Sequence, residues 1–176
     1  VDVPTLLANS EPLTGDSFKM LLNTIRGGAR EREKFGKELD EALGRNEKKL
    51  AGDPGKAMKV GQVCHAMGRH ESAVAWFDKA GASATQLYLK GLSLRQLKRF
   101  DEAIECYRQA LRITPGEPFV MHNMATVLGE RGQIEEAMKE DERILAQKPD
   151  FTLAAFGRSD ALLRSGDFER GWAAYE

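Results

Sequence analysis

The sequence predicts an all-α protein made of repeated pairs of antiparallel helices, and three observations predict it. Small residues recur in register: Ala73, Ala103, Ala137 and Gly171 lie in the segments SAVAWF, DEAIECY, EEAMKED and ERGWAAY, at intervals of 30, 34 and 34 residues. Twelve residues before each stands another small residue, Gly61, Gly91, Ala125 or Ser159. Punctuation follows the same beat, with Gly68, Gly132 and Gly166 five residues before the marker (Lys98 is the exception) and Pro115 and Pro149 twelve after two of them. A repeat of this length is one supersecondary unit that buries its apolar face only by stacking on its neighbours.

Each repeat reads as two helices. Phe100, Ala103, Ile104, Tyr107, Ala110 and Leu111 share one face at i, i+3, i+4 and i+7 spacing, and Leu87, Gly91 and Leu94 line the inner side of the helix before. A small residue on each helix lets the two axes approach. Glycine between them permits the left-handed residue that ends the first helix, and proline stops the second.

This register resembles the tetratricopeptide repeat (TPR) family, in its bacterial-type form. Residues 84–117, ATQLYLKGLSLRQLKRFDEAIECYRQALRITPGE, carry nearly every residue class of that motif. Residues 118–151 form a second copy, 54–83 a shortened first copy closed early by Gly81, and 152–176 a fourth cut within its second helix. The resemblance implies a right-handed superhelix of stacked helix pairs, preceded by an N-terminal helical extension over residues 1–53. Three positions depart from the motif. Lys90 and Arg158 replace an aliphatic plug, and Asp141 stands where Phe77, Tyr107 and Tyr175 carry rings, so the third repeat is expected to have a looser or more polar seam.

Within the extension, Asp16 or Ser17 caps a short helix striped by Phe18, Leu21, Leu22 and Ile25, ended by Gly27-Gly28. From about residue 30 to 50 runs a charged helix with Phe35, Leu39, Ala42, Leu43 and Leu50 on one side. Glu33 with Lys37 and Glu41 with Arg45 are i,i+4 pairs in the favourable order. The expected role is a cap on the stack; the alternative is a helix that self-associates or occupies the groove. At the other end, Phe168, Trp172 and Tyr175 are expected to be partly unsupported, marking a contact or a chain that continues past Glu176.

Composition narrows function. Twenty-six Lys and Arg against 27 Asp and Glu give a net charge of -1, against the cationic excess a nucleic-acid binder needs. No apolar run reaches the roughly 20 residues of a membrane span. Cys64 and Cys106 form no CxxC, and with three scattered histidines offer no metal-ligand array, so no metal or cofactor is expected. Cys64 aligns with Leu94, Leu128 and Leu162 as a core residue. A reducing, cytoplasmic setting fits two unpaired cysteines, although the chain begins with Val and a removed targeting segment is compatible with it. No GxSxG, P-loop or HExxH occurs, so no catalytic residue is assigned and the chain is read as non-enzymatic.

What the resemblance implies is a protein-interaction module or scaffold that binds a partner peptide or domain in a concave groove lined by the first helix of each pair. The family's groove positions fall here on Met58, Gln62 and His65; on Tyr88, Leu92 and Arg95; on Phe119, His122, Asn123, Thr126 and Glu130; and on Phe156, Asp160 and Leu163. In chaperone-binding members, paired lysines and asparagines clamp a terminal carboxylate. The matching places here hold Met58, Gln62 and Tyr88, with only Asn123 agreeing, so an apolar or mixed segment is the expected ligand. Two alternatives stand beside this reading. One is the targeting arm of a larger enzyme, since the tail resembles linkers preceding glycosyltransferase- or sulfotransferase-like domains in bacterial proteins. The other is a scaffold that self-assembles through residues 30–50 or the open C-terminal end.

Overall fold

Four turns of one geometry organise the chain. At Gly68, Lys98, Gly132 and Gly166 the backbone φ is 76°, 60°, 89° and 88°, and each residue sits just past the end of a helix. The amide of each positive-φ residue bonds three residues back, to His65, Arg95, Gly129 and Leu163 at 2.9–3.1 Å. The amide after it bonds five back, to Cys64, Leu94, Leu128 and Leu162 at 2.9–3.0 Å. These paired bonds satisfy carbonyls that a helix end leaves without partners and reverse the chain in two residues.

The structure, a computed structural model, describes residues 28–173 together with Asn23. Nine helices and no strand occupy the described residues: α1 (Ala29–Ala51), α2 (Pro54–Ala66), α3 (His70–Lys79), α4 (Ala84–Gln96), α5 (Phe100–Ile113), α6 (Pro118–Glu130), α7 (Ile134–Gln147), α8 (Thr152–Arg164) and α9 (Phe168–Ala173). The expected short helix around Phe18 and the side chain of Tyr175 lie outside the described residues. The chain divides into two compact units, residues 1–82 and 83–176.

In the first unit α1 is a 23-residue helix that buries Phe35, Leu39 and Leu50. Its outer face carries the Glu33–Lys37 and Glu41–Arg45 pairs at 2.7 and 3.3 Å. Two longer-range contacts tie it to the next hairpin: Arg69 donates to both oxygens of Asp40 at 2.5 and 3.1 Å, and Lys79 donates to Glu47 at 3.2 Å. The Arg69 guanidinium holds the Asp40 carboxyl below its ordinary range. Helices α2 and α3 then pair, α2 capped by the Asp53 side chain on the Lys56 amide and started by Pro54. A Cβ on Gly61 would fall 2.6 Å from the Phe77 ring, so only hydrogen at position 61 admits that buried ring.

The second unit repeats the device. Ser83 caps α4 through the Gln86 amide at 3.1 Å. A Cβ on Gly91 would fall 2.5 Å from the Tyr107 ring, which is fully buried. Helix α5 packs on α6 and α7 on α8, while α4, α6 and α8 lie side by side in that order. Met121, Ile144 and Ala154 form one core cluster, flanked by Leu111, Leu145 and Phe151. In the third pair the size relation inverts: Ala125 stands where Gly61 and Gly91 stand, and Asp141, 3% exposed, where Phe77 and Tyr107 stand. The polar seam expected at Asp141 is present.

Neither cysteine is in a disulfide, and both are buried. Burial pushes the Cys64 thiol up to about 11, the setting of a packing residue rather than a reactive one. No helix among the described residues is long and apolar enough to cross a membrane.

Candidate functional site

The neighbouring helices α4, α6 and α8 bring together residues far apart in sequence. Asn123 donates through Nδ2 to the Tyr88 hydroxyl at 3.2 Å and to the Phe119 carbonyl at 2.8 Å. Towards the other end of the same helices, Arg95 donates through Nε and Nη2 to one Glu130 oxygen at 3.1 and 2.6 Å. Both contacts join residues 35 apart in the chain, so they link one helix pair to the next. The guanidinium holds the Glu130 carboxyl below its ordinary range, and burial raises the Tyr88 hydroxyl. Four residues assigned to the groove are therefore engaged with one another in pairs. Thr126 donates back to the His122 carbonyl at 2.9 Å, a local helix contact.

Between α6, α7 and α8 lies a cavity of about 300 Å³. His122, Thr126 and Glu130 of α6, and Phe156 and Asp160 of α8, contribute to its wall, so five of the sequence-assigned residues converge there. Small side chains make room: Ala125, Gly129, Ala137, Gly157 and Ala161 all line it. Asp141 of α7 is at the inner wall, its Oδ1 making no hydrogen bond and lying 3.5 Å from Nδ1 of His122. Burial pushes the Asp141 carboxyl up, and the nearby imidazole opposes that shift. Asp160 lies 3.6 Å from Arg164, so the cavity's two other carboxylates, Glu130 and Asp160, each face an arginine.

Two large rings stand out from this surface, Phe119 at 52% and Phe156 at 59% exposure. Phe119 meets Phe151 edge-on at 5.2 Å and, with Tyr88, Thr114, Glu117 and Val120, lines a second hollow of about 490 Å³. Leu92 is half-buried on α4. Leu163, also assigned to the groove, is half-buried on α8. A Cβ on Gly171 would fall 2.6 Å from its side chain, so Leu163 packs inside its own α8–α9 hairpin, and it lines neither hollow.

In the first unit Met58 and Gln62 are buried, and His65 is half-buried with its ring edge-on to His70 at 5.3 Å. Burial, with the neighbouring His70 adding to it, lowers the His65 imidazole to about 4. Among the described residues no group of three or more His, Cys, Asp or Glu side chains could hold a metal ion. Sequence reasoning assigned the convergent residues of α6 and α8 but not Asp141 or Gly157. The absent ring at 141 was the signal, because a missing side chain at a seam leaves space.

Helix hairpins closed by turns of one geometry, with α4, α6 and α8 side by side in the second unit, define an α-helical repeat protein. Residues 84–116 match the family model described as "Tetratricopeptide repeat". Among curated proteins, the chain is 28% identical over 99 residues to small glutamine-rich tetratricopeptide repeat-containing protein 2 of Mycosarcoma maydis, covering 56% of this chain and 28% of that protein. It is 29% identical over 109 residues to a heat-shock protein cognate co-chaperone of Aspergillus fumigatus, covering 60% of this chain and 32% of that one. The chain thus spans about a third of the length of the curated relatives it matches. Solved structures of similar fold include MamA from Desulfovibrio magneticus RS-1 (TM-score 0.69, 19% identity, 93% of each chain). Another is YrrB, titled a TPR protein with an unusual peptide-binding site (TM-score 0.65, 16% identity, 90% of this chain and 81% of that one). Residues 84–116 thus match a tetratricopeptide repeat, and the fold around them is the one seen in solved tetratricopeptide-repeat structures.

Proposed function

We propose that the chain is a non-catalytic interaction module that holds an extended or helical segment of a partner protein against α4, α6 and α8. The observation that carries this reading is the pair of exposed rings, Phe119 and Phe156, set on adjacent helices beside Asn123, Thr126 and Asp160. Aromatic anchors surrounded by hydrogen-bonding groups are the composition of protein contact sites. Relatives named as a co-chaperone and as a peptide-binding repeat protein support the same class of function and a cytosolic setting. The carboxylate clamp of chaperone-binding repeats finds little support, because Asn123 already donates to Tyr88 and Phe119. An apolar or mixed segment fits better, with a dissociation constant on the order of micromolar, about -8 kcal/mol.

A peptide library selected on the chain tests this. Selected peptides are expected to lose at least tenfold in affinity for a Phe119→Ser, Phe156→Ser double variant whose melting temperature is unchanged, since both rings are exposed. Equal affinity for both proteins would remove α6 and α8 from the binding surface.

A further inference from the structure

The cavity between α6, α7 and α8 has a chemistry that the general groove reading does not require. In the first two helix pairs a ring fills this level of the stack, Phe77 against Gly61 and Tyr107 against Gly91. The third pair substitutes Ala125 and Asp141, and space with a carboxylate beside it replaces an aromatic plug. The side chain of Asp141 is only 4% exposed, its Oδ1 has no hydrogen bond within ordinary geometry, and His122 Nδ1 lies 3.5 Å from it. Every other charge on the wall is paired: Glu130 with Arg95, Asp160 with Arg164. A buried carboxylate with only an imidazole 3.5 Å away is costly to ionise, and a cation entering the space beside it offsets that cost. The remaining walls are the short apolar surfaces of Ala125, Ala137, Ala161 and Ile134, suited to an aliphatic stem, and the exposed Phe156 ring can receive a cation on its face.

We propose that this cavity is a specificity pocket for a cationic side chain, lysine or arginine, of the bound segment, with the Asp141 carboxylate as its counter-ion. The pocket deepens the groove reading and rests on it for the origin of the side chain, but it can be probed without any partner. In the full chain at neutral pH, the backbone amide resonances of Gly157, Gly129 and Ala161 are followed while n-butylammonium, n-butylguanidinium or 1-pentanol is added. At least one of the cations is expected to shift these resonances saturably at millimolar concentration, and the better of the two names the side chain. The neutral alcohol, of similar size, is expected to bind at least tenfold more weakly. Asp141→Asn, close in shape, should lose at least tenfold for the cation while its remaining amide spectrum overlays that of the unmodified chain. Phe156→Leu, at an exposed position, gives a second variant that leaves the fold intact and should weaken the cation severalfold.

Equal response to pentanol, undiminished cation binding in Asp141→Asn, or no response to either cation would each overturn the proposal. None of those outcomes touches peptide capture through Phe119 and Phe156. Conversely, cation binding without capture of any peptide would remove the groove reading and leave the pocket standing.

Discussion

Gly91 and Tyr107 show how one hydrogen atom in place of a methyl group sets a helix pair. Alanine at 91 would gain up to about 1 kcal/mol of helix propensity. Its Cβ, however, would lie 2.5 Å from Cε1 of a ring that is fully buried and cannot retreat, and overpacking of a core costs roughly 1–3 kcal/mol. Overpacking wins, and Gly91→Ala is expected to lower stability by about 1–2 kcal/mol in urea denaturation. The equivalent Ala125 already carries that methyl group because Asp141 offers no ring to meet it. This coupling between small and large positions was legible in the sequence, since both recur on the same beat. The pairing of Arg95 with Glu130 was not: each was assigned to the groove alone. A contact between residues 35 apart depends on how far one hairpin slides along the next, and no local pattern encodes that offset. Leu163, assigned to the groove from its register, also packs against Gly171 in the seam of its own hairpin, a contact no local pattern announces.

The turns between the helices fix where each element ends. Three of the four reversal points are glycine, and the fourth, Lys98, takes φ 60° against the preference of every residue with a Cβ. Lys98→Gly keeps both turn hydrogen bonds and relieves that conformation. It is expected to raise stability by about 0.5–1 kcal/mol, seen as a rise in melting temperature. The Lys98 ammonium lies 5.7 Å from the Phe100 ring centroid, a long contact whose loss offsets little of the gain. Helix ends were the most legible feature of all. Pro115 and Pro149 follow α5 and α7 by two residues, and Gly81, at φ 75°, follows the short α3. Glycine and proline act through backbone sterics alone, so their meaning survives without knowledge of any neighbour.

At the scale of the whole molecule, the two histidines lowered by burial, His65 and His70, both lie in the first unit. His65 titrates near 4 in the folded chain and near 6.5 when exposed, so between those values the unfolded chain binds the extra proton and the fold does not. Stability is therefore complete above about pH 6.5 and falls as pH drops towards 4, by on the order of 2 kcal/mol. His70, also lowered by burial, acts in the same direction. Hydrogen exchange at pH 7 and pH 4.5 is expected to show α2 and α3 losing protection more than α4 to α7. In His65→Leu that difference should shrink, leucine being the residue at the equivalent position 163. Equal losses across both units would place the acid response elsewhere.

Each unit also holds one buried cysteine, Cys64 in α2 and Cys106 in α5. Burial slows attack by a thiol reagent until the surroundings open, so the speed of modification at each site reports how often that half of the molecule breathes. The chain thereby contains two native clocks, and a bound partner that clamps only one half would slow only one of them.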